Sequence, residues 1–145
     1  MVSGLNGKVR TGGRLNLGRI MDANVNGLPD WWEAMHFGTP SGTTPDADPD
    51  GDGASNLAEW TAGTDPTNAS SCLRLTAVAL EDANRVLVCW ESQQGKYYRL
   101  ERADSLITGF AAMRTNIPAT APMNTETDGT VISSESRFYR IVLEE

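Results

Sequence analysis

Basic residues are missing from the middle of this 145-residue chain. Between Met21 and Leu73 there is no Lys or Arg, while nine Asp or Glu occur there. The net charge is −7 and no basic stripe forms, so no nucleic-acid partner is expected. Histidine is almost absent too. A Ser-His-Asp triad would have to use His36, the one histidine, and no Gly-x-Ser-x-Gly elbow accompanies it. His36 ends a short helical stretch beside aromatic residues, where packing and the helix C-terminus account for it. No glycine-rich phosphate cradle occurs, so the chain is not expected to be an enzyme. Long apolar runs are lacking, and no window approaches the length of a membrane span. No charged-then-apolar leader opens the chain, so either one has been removed or this is a piece of something longer. The two cysteines, Cys72 and Cys89, match no zinc spacing. A hairpin of residues 73–80 with 85–92 sets Cys89 opposite Thr76, leaving Cys72 roughly 13 Å along the strand. A disulfide needs Cα atoms within about 7 Å, so a bridge requires another strand arrangement and the pairing stays open.

What the chain does have is one twelve-residue pattern written twice. Asp22-Ala23-Asn24-Val25-Asn26-Gly27-Leu28-Pro29-Asp30-Trp31-Trp32-Glu33 is followed by Asp48-Pro49-Asp50-Gly51-Asp52-Gly53-Ala54-Ser55-Asn56-Leu57-Ala58-Glu59. Each copy has Asp or Asn at positions one, three, five and nine, Gly at six and Glu at twelve. This is the spacing of an EF-hand calcium loop. Ca²⁺ takes six to eight oxygens, so alternate short side chains reach inward while the chain curls around the ion. Gly at six allows the sharp turn, the carbonyl at seven adds a ligand, and the last Glu clamps with both oxygens. The candidate ligands are therefore Asp22, Asn24, Asn26, the Leu28 carbonyl, Asp30 and Glu33 in loop one. In loop two they are Asp48, Asp50, Asp52, the Ala54 carbonyl, Asn56 and Glu59. Two Ca²⁺ ions are expected, with loop two the tighter, because it offers four carboxylates against three.

Each loop runs into a short helical stretch closed by Gly38 or Gly63, and the 39–47 connection holds two Pro and no incoming helix. This half-EF-hand layout resembles dockerin modules and bacterial thrombospondin type 3-like repeats. The pattern DPDGDG-x-SN-x-x-E-x-x-x-GTDP of the latter is matched from Asp48 to Pro66. Position eight is Pro29 or Ser55 instead of the aliphatic residue that bridges paired EF-hands, which argues against a regulated opening. Trp31, Trp32 and Trp60 form either a docking or sugar-stacking face or the mini-core that two such short repeats need.

Residues 73–80, 85–91, 96–102 and 138–143 are β-rich and largely alternating, and 113–117 reads as a further strand. Trp90, Val88 and Val86 are expected to face inward, as are Tyr98 with Leu100, and Tyr139 with Ile141 and Leu143. The region resembles fibronectin-III-like domains that end many secreted bacterial proteins. The resemblance rests on Trp90, Ser92, Gly95 and Tyr98, on Leu106 and Phe110, and on Phe138-Tyr139-Arg140, with Ala103 where Ser is usual. At the other end, Gly7-Lys8-Val9-Arg10-Thr11-Gly12-Gly13-Arg14-Leu15-Asn16 resembles the end of the catalytic domain of secreted subtilisin-like proteases. Leu15, Leu17, Ile20 and Met21 are spaced for a short lead-in helix.

The expected fold is α+β: two loop-helix calcium repeats followed by a small antiparallel β-sandwich of Ig or fibronectin-III type. Its parts are a lead-in at 1–21, a repeat module at 22–71 and a sandwich at 72–145. The expected role is an extracellular, calcium-stiffened spacer in a secreted or surface protein. Two alternatives stay open: a dockerin-like module with an extracellular protein partner, and a glycan-binding sandwich, which an exposed aromatic row would mark.

Overall fold

The computed structural model describes residues 22–130 and 136–144, so the expected lead-in helix and the protease-like stretch lie outside the described residues. The chain divides into two compact units, Met1–Pro45 and Asp46–Glu145, so the span 22–71 contributes to both and each loop sits in its own unit.

In the first unit, loop one leads into α1 (Asp30–Phe37). Pro29 lies just before the helix in extended conformation, its carbonyl taking the N–H groups of Trp32 and Glu33. Gly38, at φ 82°, ends the helix by donating to the Ala34 carbonyl at 3.0 Å, a left-handed cap that glycine adopts without steric penalty. Leu28 and Trp32 are buried, and Trp32 packs on His36 and Phe37 with ring centroids 4.9 and 5.9 Å away. Trp32 is thus a mini-core residue, whereas Trp31 is exposed.

The second unit opens on loop two and α2 (Asn56–Ala62), whose N-cap Ser55 accepts from the Ala58 N–H and whose C-cap is Gly63 at φ 78°. Six antiparallel strands follow: β1 (Leu75–Asp82), β2 (Arg85–Glu91), β3 (Tyr97–Ala103), β4 (Ala111–Pro118), β5 (Met123–Asp128) and β6 (Phe138–Glu144). They make two three-stranded sheets, ordered β1-β2-β5 and β4-β3-β6. This is the layout of a small β-sandwich. Its core is Val86, Val88, Trp90, Tyr98, Leu100 and Ile117, with Tyr139, Ile141 and Leu143 packed against it. Period-two alternation therefore placed the inward faces of β2, β3 and β6 correctly.

Two features differ from expectation. The β1–β2 hairpin is shifted by one residue through irregularities at both ends, so Cys89 pairs with Ala77 instead of Thr76. Both cysteines are free. Strand β5 was not anticipated, because its inner face is polar. Asn124, Glu126 and Asp128 stand opposite Trp90, Val88 and Val86, and directly opposed residues share a face. Partners on the other sheet make this tolerable: Arg114 meets Glu126 at 3.3 Å, and Arg102 and Tyr139 meet Asp128 at 2.7 and 2.9 Å.

Candidate metal centre

The two loops share one backbone. Loop position four is left-handed in both, Val25 at φ 58° and Gly51 at φ 76°, and position six is Gly27 or Gly53 at φ 96°. Position one anchors the curl in each. The Asp22 carboxylate accepts from the N–H groups of Asn26 and Gly27 at 3.1 and 2.8 Å. Asp48 accepts from Gly51 and Gly53 at 2.8 and 3.0 Å. Such turns leave the remaining side-chain oxygens free to converge.

Val25 is the strained exception. A β-branched residue in the left-handed region carries a penalty of about 1–2 kcal/mol, and Val25 is 72% exposed, so its side chain packs little. Val25→Asn, which tolerates this conformation, is expected to stabilise the first unit by about 1 kcal/mol. Urea unfolding followed by tryptophan emission measures it, and a destabilised variant would contradict the backbone assignment.

In loop two the carboxylates converge. Ligand oxygens of Asp48, Asp50 and Asp52 lie within 4.8 Å of one another. Asp50 and Asp52 each spend one oxygen on the loop backbone, taking the N–H groups of Asp52 and Ala54 at 3.2 and 2.8 Å. Their second oxygens are buried without a hydrogen-bond partner. Glu59, on the first turn of α2, is 1% exposed and neither of its oxygens has a partner. Burial, offset in part by the neighbouring Thr64 hydroxyl and reinforced by the charges of Asp50, Asp52 and Asp65, pushes its carboxyl up to about 7. Three converging aspartates, with the buried carboxylate of Glu59 close enough to feel the charges of Asp50 and Asp52, fit a hard, oxygen-seeking cation. Asn56 is fully buried and its N–H ties the helix start to the Ala47 carbonyl at 2.8 Å.

Residues 48–69 match the bacterial TSP3 repeat. Repeats of that family bind calcium and are typically extracellular, and the Asp48–Asp50–Asp52 group has the composition such an ion needs. The match begins with the second loop, so residues 22–33 lie outside it. Neither the curated proteins nor the solved structures give a match. Among the described residues no helix is long and apolar enough to cross a membrane.

Loop one brings its predicted residues together differently. Asp30 is occupied by the Ala23 N–H at 3.1 Å. Asn24 and Asn26 turn their oxygens to backbone N–H groups of Asn26 and Leu28, at 3.0 and 2.8 Å. Their amide nitrogens reach Glu33 instead, Asn24 at Oε2 and Asn26 at Oε1, both at 3.1 Å. Glu33 is buried like Glu59, but it is satisfied from within the loop. The motif alone could not show three further residues. Ser41 accepts from the Asn24 amide at 3.1 Å. Cys72 lies beside Asp52, and burial followed by that carboxylate pushes its thiol up. Lys96 donates to the Thr61 carbonyl at 2.5 Å, at the end of α2. A lysine 37 positions beyond the loop Glu carries no local signal of this contact.

Proposed function

We propose that the chain is a calcium-stiffened spacer carrying a β-sandwich accessory domain, part of a larger secreted or surface protein. The observation that carries this is the convergence of three aspartates in loop two, with the buried Glu59 carboxylate within reach of the charges of Asp50 and Asp52. Calcium there would be held by Asp48, Asp50, Asp52, Asn56, Glu59 and the Ala54 carbonyl, supplying the positive charge that these oxygens lack. A second, weaker ion belongs to loop one. The role is non-catalytic: His36 packs on Trp32 and Phe37, which is a structural use of the only imidazole. The sheet order supports a sandwich of fibronectin-III type. A subtilisin-like protease is the proposed parent on the Gly7–Asn16 resemblance alone.

Limited proteolysis tests ion and role together. Cleavage needs a locally opened stretch, and an ion that binds only the closed loop lowers the open population by about 2.7 kcal/mol at a hundredfold excess over Kd. Millimolar calcium is expected to suppress first cuts at residues 45–52 and 65–71, where turns expose the backbone. Glu59→Gln should be cut there with or without calcium. First cuts confined to the sandwich loops and indifferent to calcium would remove the spacer reading.

A further inference from the structure

We infer that loop one is closed by its own side chains and stays folded without calcium, with Asn24 and Asn26 holding Glu33 where an ion would otherwise hold it. The inference rests on the calcium reading above and concerns what sets the two loops apart.

The orientation of the two amides is dictated by their surroundings. A backbone N–H can only donate, so the atom of Asn24 that receives the Asn26 N–H must be its oxygen, and the same holds for Asn26 and the Leu28 N–H. Each amide nitrogen is thereby aimed at Glu33, and each carboxylate oxygen receives one donor. The Asn24 nitrogen is also gripped from outside the loop, by the Ser41 hydroxyl at 3.1 Å and the Pro40 carbonyl at 3.4 Å. Both oxygens of a buried carboxylate that would otherwise lack partners thus have a donor.

Loop two shows what happens without amides. Asp50 and Asp52 occupy the positions of Asn24 and Asn26, and having no N–H to give, they leave both Glu59 oxygens without a donor.

For loop one to take an ion, the amide nitrogens of Asn24 and Asn26 must leave the Glu33 carboxylate, and each amide oxygen, which already accepts one backbone N–H, must turn its second lone pair to the ion. Closure and ion binding therefore compete. Calcium should enter loop one weakly, while chelation leaves its backbone in place. Loop two should depend on the ion. Asn24 and Asn26 are in this sense residues that set affinity, and the aspartates that would strengthen binding would also remove the self-closure.

The experiment uses the full chain, with hydrogen exchange read by NMR in chelator and calcium titration by calorimetry. In chelator the backbone amides of residues 22–33 and the side-chain amides of Asn24 and Asn26 are expected to exchange at least about tenfold more slowly than those of 48–59, a conservative figure for two hydrogen bonds to a carboxylate. Asn26→Asp and Asn24→Asp, made singly, should each abolish that protection and tighten the weaker calcium site about tenfold or more, since ligand charge sets much of the affinity. The wild-type exchange comparison needs no variant, so a variant that folds poorly leaves the test intact. Equal, fast exchange of both loops in chelator overturns the inference, as does retained protection in both variants. If no calcium binds to either loop, the underlying reading falls. If loop two binds and loop one is unprotected in chelator, the self-closure alone falls.

Discussion

Asp128→Ala should cost the sandwich about 3–5 kcal/mol, the range for removing one partner of a buried ion pair. That is enough to leave a small domain of ordinary stability barely folded. Asp128 is 2% exposed on the inner face of β5, and it joins the sheets by accepting from Arg102 of β3 and Tyr139 of β6. The Thr130 N–H and hydroxyl fill its other oxygen at 2.9 and 2.7 Å. Without the carboxylate, the Arg102 charge keeps only the exposed Asp104, at 4.0 Å, as its counterpart. Burial alone would raise the Asp128 carboxyl, but Arg102, Thr130 and Tyr139 outweigh it and hold the group well below the usual carboxylate range. The stability tied to its ionised form is thus complete above the unfolded value of about 4 and drains away as pH falls below it. Tyr139 sets the alkaline edge. Burial, then the bond to Asp128, pushes its hydroxyl up to about 12. An unfolded tyrosine ionises near 10, so its contribution is lost as pH rises from about 10 towards 12. Asp128→Asn should flatten the acid limb and bring tyrosinate absorbance in at lower pH. Unfolding curves across pH test both, and an unchanged acid limb would show that the clamp is not ionic.

Removing calcium should loosen the sandwich as well as the loop. The sequence divides the chain into a repeat module at 22–71 and a separate sandwich at 72–145. Loop two, however, belongs to the same compact unit as all six strands. Lys96, in the turn between β2 and β3, donates to the last turn of α2, and its Cε would lie 3.4 Å from a Cβ placed on Gly63. Leu57, Thr61 and Ala62 of α2 share one groove with Leu73 and Leu143 of the sandwich. Saturation a thousandfold above Kd adds about 4 kcal/mol to whatever unfolds together with the site, a rise of roughly 15 °C or more in Tm for a domain of this size. Near-ultraviolet dichroism of the buried Trp90 and Tyr98 reads the sandwich itself. Lys96→Met should leave calcium bound while shrinking the shift. A sandwich Tm indifferent to calcium would mean that the loop unfolds alone.

The local features were legible because they are written in consecutive residues. Gly27 and Gly53 announce the loop turns, Gly38 and Gly63 the helix ends, and Trp90, Val88 and Val86 a buried face. What escaped notice depends on distant partners. Met-Asn-Thr-Glu-Thr-Asp reads as a loop until Arg102, Arg114 and Tyr139 are placed against it. The hairpin register slipped because irregular pairs at both ends of β1 break the simple arithmetic of opposed residues. In loop one the structure gathers Asn24, Asn26 and Glu33 of the expected set, but an asparagine has two ends, and only the neighbouring N–H groups decide which end faces Glu33.

The rim of the second sheet bears on how the molecule behaves in a crowd. Strand β4 borders that sheet among the described residues, and an open rim invites a neighbour's strand to zip onto it. Here Asn116 turns to φ 56° within the strand, the pairing with β3 slips twice, and Pro118 ends the run. A backbone so crumpled offers no straight ladder for a second copy to extend. Concentrated solutions should therefore not form fibrils through this side, and β1, with Val78 and Leu80 exposed along a more regular stretch, is where sticking would begin.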